Sequence, residues 1–268
     1  MQLSELIGHF EKFWPTASAE EWDRVGLLVG SPGLEVDTVL VSVDLTEEVI
    51  SEAIGIGAQI ILTHHPVLLR PINTLAEDEL KGRIISKLIK GGLAAFSAHT
   101  NADVQADGAS NLMAQLFGLG NVNPLVATNS GFGHGAIGSL KTPITLKEFA
   151  SLVSDRLPKT ARKVAFAGNP TQQISTVAIC SGAGDGFISE ALASPADVYV
   201  TSDLRHHPTQ DAIATPRSNR NGLALIDVSH WAAESLWVES AATKLDSIPG
   251  ISAIASNVIT DPWTTEVD

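Results

Sequence analysis

Leu3, Leu6, Ile7 and Phe10 recur at helical spacing, so the chain opens with an amphipathic helix. The apolar, β-branched run from Thr38 to Val43 predicts a buried strand that stops at Asp44. Thr46, Glu47 and Glu48 then predict a helix to about Gly57, because a hydroxyl ahead of two carboxylates suits the unpaired N–H groups of a first turn. Gln59 to Leu62 is a second strand. Thr63-His64-His65-Pro66 closes it, since proline has no N–H to give to a ladder. A helix near Glu79 to Lys90, a strand at Leu93 to Ser97, a loop His99-Thr100-Asn101-Ala102-Asp103 and a helix from about Gly108 to Phe117 continue the alternation. This rhythm predicts right-handed βαβ units and a mainly parallel sheet, whose ligands bind outside the carboxyl ends of the strands.

Leu119 to Gly138 breaks the pattern, being rich in Gly, Asn and Ser, and is read as a linker or crossover. The alternation then restarts with a helix near Leu146 to Leu157 and strands at Arg162 to Ala167 and Ile174 to Cys180. A Gly-rich stretch from Ser181 to Gly186 reads as a tight strand-to-helix turn, its spacing being that of neither a P-loop nor a dinucleotide fingerprint. Asp197 to Thr201 is a strand leading into Ser202-Asp203-Leu204-Arg205-His206-His207-Pro208. Leu223 to Val228 leads into His230 and a helix reaching about Leu245. Two strands followed by His-His-Pro suggest two similar α/β lobes.

Composition narrows the function. The 268 residues carry 17 Lys and Arg against 30 Asp and Glu, a net charge of −13, which disfavours nucleic acid and anionic membrane surfaces as partners. No apolar stretch has the length of a membrane span, and the N-terminus does not read as a signal peptide. Cys180 is the only cysteine, so an intrachain disulfide and a Cys-rich zinc site are both excluded; a cytoplasmic setting is expected, with Cys180 as a core residue.

Imidazoles and carboxylates are the ligands that borderline divalent metals accept. Here they fall at strand ends: His64, His65, Asp103, and His230 with Glu234 one helical turn on. Five such groups suit two ions better than one, and adjacent histidines in an extended segment point apart, so each would serve a different ion. Each group alone also has a plain structural reading: a packed strand-end histidine, a turn-forming aspartate, a helical side-chain pair. His206 and His207 read either as helix-start residues paired with Asp203 and Arg205 or as acid/base groups lining a cavity. Trp22-Asp23 reads as a loop near the site or a hydrophobic anchor.

In order along nearly the whole chain, Glu21-Trp22-Asp23 with Gly26-Leu27, Thr63-His64-His65-Pro66, His99-Thr100-Asn101-Ala102-Asp103, Cys180 to Gly184, Thr201-Ser202-Asp203 with His207, and His230 with Glu234 resemble the NIF3-like (DUF34) dinuclear metal proteins, the GTP cyclohydrolase I type 2 homologues. Ser202 and Ser229 stand where the family usually has Gly. The resemblance implies that His64, His65, Asp103, His230 and Glu234 hold two divalent cations (Zn, Fe, Mn, Ni or Co), with Glu234 bridging. It also implies two related α/β lobes in a toroidal homohexamer. Because N- and C-terminal ligands must meet, a metal-binding lobe of 1–125 plus 223–268 and a second lobe of 126–222 are expected. The implied activity is metal-dependent hydrolysis of a nucleotide or other small molecule, with His207 and His99 handling protons and Asp203 orienting His207. The rival is a non-catalytic metal-binding scaffold for protein partners.

Overall fold

The structure, a computed structural model, describes residues 1–128, 133–217 and 221–265. In chain order its first elements are α1 (Leu3–Phe13), β1 (Gly26–Val29), β2 (Thr38–Ser42), α2 (Glu47–Gly55), β3 (Ile60–Thr63), α3 (Leu80–Lys90), β4 (Ala94–Ser97) and α4 (Thr100–Asp103). Next come α5 (Ala109–Leu116), β5 (Gly120–Asn123), β6 (Val126–Ala127), β7 (Gly133–His134), β8 (Ala136–Thr145), α6 (Leu146–Arg156), β9 (Ala165–Ala167) and β10 (Gln173–Ala183). The last are α7 (Ile188–Ala193), β11 (Val198–Ser202), α8 (His206–Ala214), β12 (Ala224–Val228), α9 (His230–Asp246) and β13 (Ser252–Ala255). The chain divides into two compact units, Met1–Gln105 with Trp237–Thr260, and Ala106–Leu236 with Asp261–Asp268.

The first unit is built on a five-stranded sheet of order β1-β4-β3-β2-β13, parallel except for β1. The apolar runs that predicted β2, β3 and β4 are buried because α2 and α3 cover them. Leu40, Val49, Ile50, Ile61, Ile84, Leu88 and Ala95 share one core, in which each fully buried large aliphatic contributes about 1.5–3 kcal/mol. Thr46 caps α2 as its sequence predicts, its hydroxyl accepting from the Val49 amide at 3.3 Å. Register is what positions the chemistry. Ser42 lies opposite Thr63 and Thr63 opposite Ser97, so β2, β3 and β4 end level, and the residues just beyond them leave from one edge of the sheet.

The second unit holds a six-stranded sheet of order β5-β8-β10-β11-β12-β9. Its centre, β10-β11-β12, is parallel, and its flanks are antiparallel. Helices α5 and α6 pack on it through Met113, Phe117, Phe149 and Val153; Tyr199, Ile188 and Ala212 form a second core that includes the buried Cys180, as expected for that residue. Strands β11 and β12 also end level, Ser202 opposite Val228.

Four expectations change. The segment 119–138 contains strands β5 to β7 and the start of β8 rather than a linker, its positions 129–132 lying outside the described residues. Its Gly and Asn content reflects the exposed edge strand β5, whose pairing with β8 is irregular between Gly120 and Asn123. The Gly-rich stretch is not a single turn, since β10 runs on to Ala183. His99 to Asp103 is not a loop; His99 caps the short helix α4. The expected lobe limits, 1–125 plus 223–268 and 126–222, also differ from the compact units. Helix α5 packs on β10 and β8, and β12 is laddered to β11, so both go with the second unit.

Candidate metal centre

In the first unit, His64 and His65 leave β3 at its carboxyl end. Their amides are held by the carbonyls of Ser42 and Val43, and the His65 carbonyl accepts from the hydroxyls of Thr63 (2.8 Å) and Ser97 (3.2 Å). These bonds bend the chain out of the extended form. Instead of pointing apart, the two imidazoles converge: His64, His65 and His99 present ligand atoms that all lie within 4.8 Å of one another. Such a group could hold a metal ion. His64 is fully buried, with the Trp237 ring 5.0 Å from its own.

Each ring is turned by its Nδ1. That of His64 donates to the Ala98 carbonyl at 3.0 Å, that of His65 to the Asp44 carboxylate at 2.8 Å, and that of His99 to the Asp23 carboxylate at 2.9 Å. A carbonyl or carboxylate only accepts, so Nδ1 carries a proton, and in the neutral ring the lone pair is on Nε2. This is the outer-shell arrangement that metal-binding histidines use. One turn of α4 brings Asp103 round, placing its Oδ1 3.6 Å from His64 Nε2. Burial alone would raise the Asp23 carboxyl, but hydrogen bonds from His99 and Thr100 outweigh it and hold Asp23 far below the usual carboxylate range. Trp22, half exposed, sets its ring against the edge of His99, with centroids 5.9 Å apart, so the Trp22-Asp23 turn lies at the site.

In the second unit, β12 delivers His230 to the start of α9, with Glu234 one turn on. As the spacing of four predicts, they meet: His230 Nε2 is 3.0 Å from Glu234 Oε2. His230 Nδ1 donates to Asp203 Oδ2 at 2.7 Å, which in the neutral ring again leaves the lone pair on Nε2. The His230 hydrogen bond is the main reason the Asp203 carboxyl lies below its ordinary value. Lone-pair nitrogen set against carboxylate oxygen, here and at His64 with Asp103, calls for a positive charge between them: a proton or a metal cation.

Asp203 therefore orients His230 and not His207, as the sequence had suggested. Arg205 pairs with Asp185 rather than with a histidine. His206 and His207 are the exposed first residues of α8, their rings 5.2 Å apart. Sequence reasoning missed Asp44, although it marked the strand that ends there. It read Gly182 only as a turn residue: its φ of +70° is a backbone conformation other residues rarely adopt, and a Cβ there would push the Glu234 carboxylate aside.

The model of the Duf34/NIF3 (NGG1p interacting factor 3) family matches residues 1–262. The chain is 40% identical to a GTP cyclohydrolase 1 type 2 homolog of Streptomyces coelicolor over 275 residues, covering 99% of this chain and 95% of that one. It is 32% identical to another such homolog from Lactococcus lactis, over 98% of this chain and 99% of the relative. Among solved structures, a Bacillus cereus protein related to NIF3 shares the fold at a TM-score of 0.90, with 24% identity over 99% of both chains. A Staphylococcus aureus hypothetical protein does so at 0.88, with 28% identity over 99% of both.

Proposed function

The chain belongs to the Duf34/NIF3 family, and on that footing we propose that it is a metal-dependent hydrolase acting in the cytoplasm as a homohexamer, with His64, His65, Asp103, His230 and Glu234 holding two divalent cations. One observation carries this reading. His64, His65 and His230 each have Nδ1 tied to a carbonyl or carboxylate, leaving Nε2 as a donor atom, and His64 and His230 each set Nε2 against a carboxylate. The ions, when bound, supply Lewis-acid polarisation and an acidified water.

The chain's own groups do the rest. Asp44, Ala98 and Asp203 fix the ligand tautomers. Asp23 fixes His99, whose Nε2 is left to take up and return a proton beside the His64 and His65 rings. The exposed face of Trp22 gives a planar group something to stack on. Candidate substrates are nucleotides, as the relatives' names suggest, and phosphoesters.

The test is metal content with GTP and phosphoester turnover, for wild type and for Asp103→Ala combined with Glu234→Ala. The expected result is two metals per subunit and turnover in wild type, with both lost in the double variant. Metal without turnover in wild type would make the chain a metal-binding scaffold. Two metals retained in the double variant would overturn the ligand assignment. The mass of the wild-type assembly in solution, six subunits expected, tests the hexamer.

A further inference from the structure

His230 is oriented by Asp203, and Asp203 stands in an unusual place. It lies just past the end of β11 with its backbone left-handed, φ 56°, a conformation uncommon outside glycine. Its carboxylate is nearly half exposed, so a side chain there would ordinarily sample several rotamers. Two groups from elsewhere in the unit, Arg162 and Asp227, restrict it. Arg162 precedes the edge strand β9, which runs antiparallel to β12 with Ala165 opposite Asp227, and this pairing carries the guanidinium across to Asp227. Asp227 Oδ2 accepts from Arg162 Nη2, while Asp227 Oδ1 accepts from the amide of Leu204, the residue after Asp203, at 3.2 Å. Arg162 Nη1 in turn lies 3.8 Å from Asp203 Oδ1. One cation thus sits between two carboxylates. The first holds the backbone next to Asp203 and the second holds the ring of His230.

We infer that Arg162 is a positioning residue for His230, acting through Asp203 and anchored by Asp227. The inference rests on the metal-site reading above for its consequence but not for its geometry. Without the guanidinium, Asp203 and Asp227 lose the charge that offsets their mutual repulsion. The Asp203 carboxylate is then free to leave Nδ1, and His230 can place its proton on either nitrogen. A proton on Nε2 takes away the lone pair that faces Glu234.

Two measurements on the full chain test this, for wild type, Arg162→Met and Arg162→Lys, each first shown to fold by circular dichroism. The first is a Co(II) titration followed by the visible d–d bands. The second is the imidazole ¹⁵N spectrum of His230 in metal-free protein, assigned with His230→Gln. Wild type should show a protonated Nδ1 and an unprotonated Nε2. Arg162→Met should bind Co(II) about 10- to 100-fold more weakly, with shifted bands and averaged ¹⁵N shifts, and Arg162→Lys should recover part of both. An Arg162→Met protein with wild-type affinity, bands and nitrogen shifts would overturn the positioning role. If wild type takes up no Co(II) while Arg162→Met still averages the His230 nitrogens, the metal reading fails and the positioning role stands.

Discussion

His64-His65-Pro66 and His206-His207-Pro208 are the same tripeptide, each following a buried parallel strand, β3 in one case and β11 in the other. In the first, the histidines come directly off the strand, and the level ends of β2 and β4 surround them with Asp44, Ala98 and His99. Each ring has an acceptor on Nδ1, and His64 is sealed from solvent. In the second, four residues separate the strand end from His207; the chain has already entered α8, and the two rings are exposed and touch one another. Ligand chemistry follows from what holds the second nitrogen of the ring and not from the presence of a histidine pair.

Substitutions that attack this contrast rank by how much of the first environment they remove. His64→Ala should be the most severe, abolishing metal uptake and destabilising the metal-free protein by about 2–4 kcal/mol through the cavity it leaves, read by denaturant unfolding in chelator. If metal content survives, the contrast between the two triplets is empty. Asp44→Asn keeps the shape but removes the carboxylate that fixes His65, and calorimetric titration should show metal affinity reduced by about 10- to 100-fold.

Asp23→Asn probes the third ring through acid stability. The folded-state carboxyl is depressed, so its contribution is complete above the unfolded value near 4 and drains away as the pH falls below it. The variant should lose about 1–3 kcal/mol at neutral pH, and its deficit should shrink as the pH falls below about 4. A deficit that does not change with pH would mean that Asp23 acts by packing alone. His206→Ala and His207→Ala should have the smallest effect, within about 0.5 kcal/mol and with metal content unchanged, as for exposed side chains. Loss of turnover with metal intact in His207→Ala would restore the acid/base role that its sequence position suggested.

Much of this was readable from local pattern. The β-branched run at Thr38 to Val43, the Thr46 cap, the proline stop at Pro66 and the spacing of four between His230 and Glu234 each act over a few residues, and each holds in the structure. Harder to read were elements whose residues carry no periodic signal. Strands β5 to β8 are exposed, short or bulged, and β1 and β13 show no run distinctive enough to single out, since their positions are only partly buried. Among site residues, the ligand-type groups stood out by chemistry. Asp44, Arg162, Asp227 and Gly182 did not, because each acts on a residue far away in the chain.

The sequence by itself determined the α/β alternation, the family, and a supply of imidazoles and carboxylates at strand ends, because hydrophobic period, caps and proline stops are properties of neighbouring residues. Only the tertiary structure decided which nitrogen of each ring carries the proton, that His64 and His65 converge rather than splay, and that Asp203 belongs to His230. Those depend on the register between strands and on hydrogen-bond partners 21 to 76 residues distant, as Asp44 is from His65 and Asp23 from His99, and no local pattern encodes such distances.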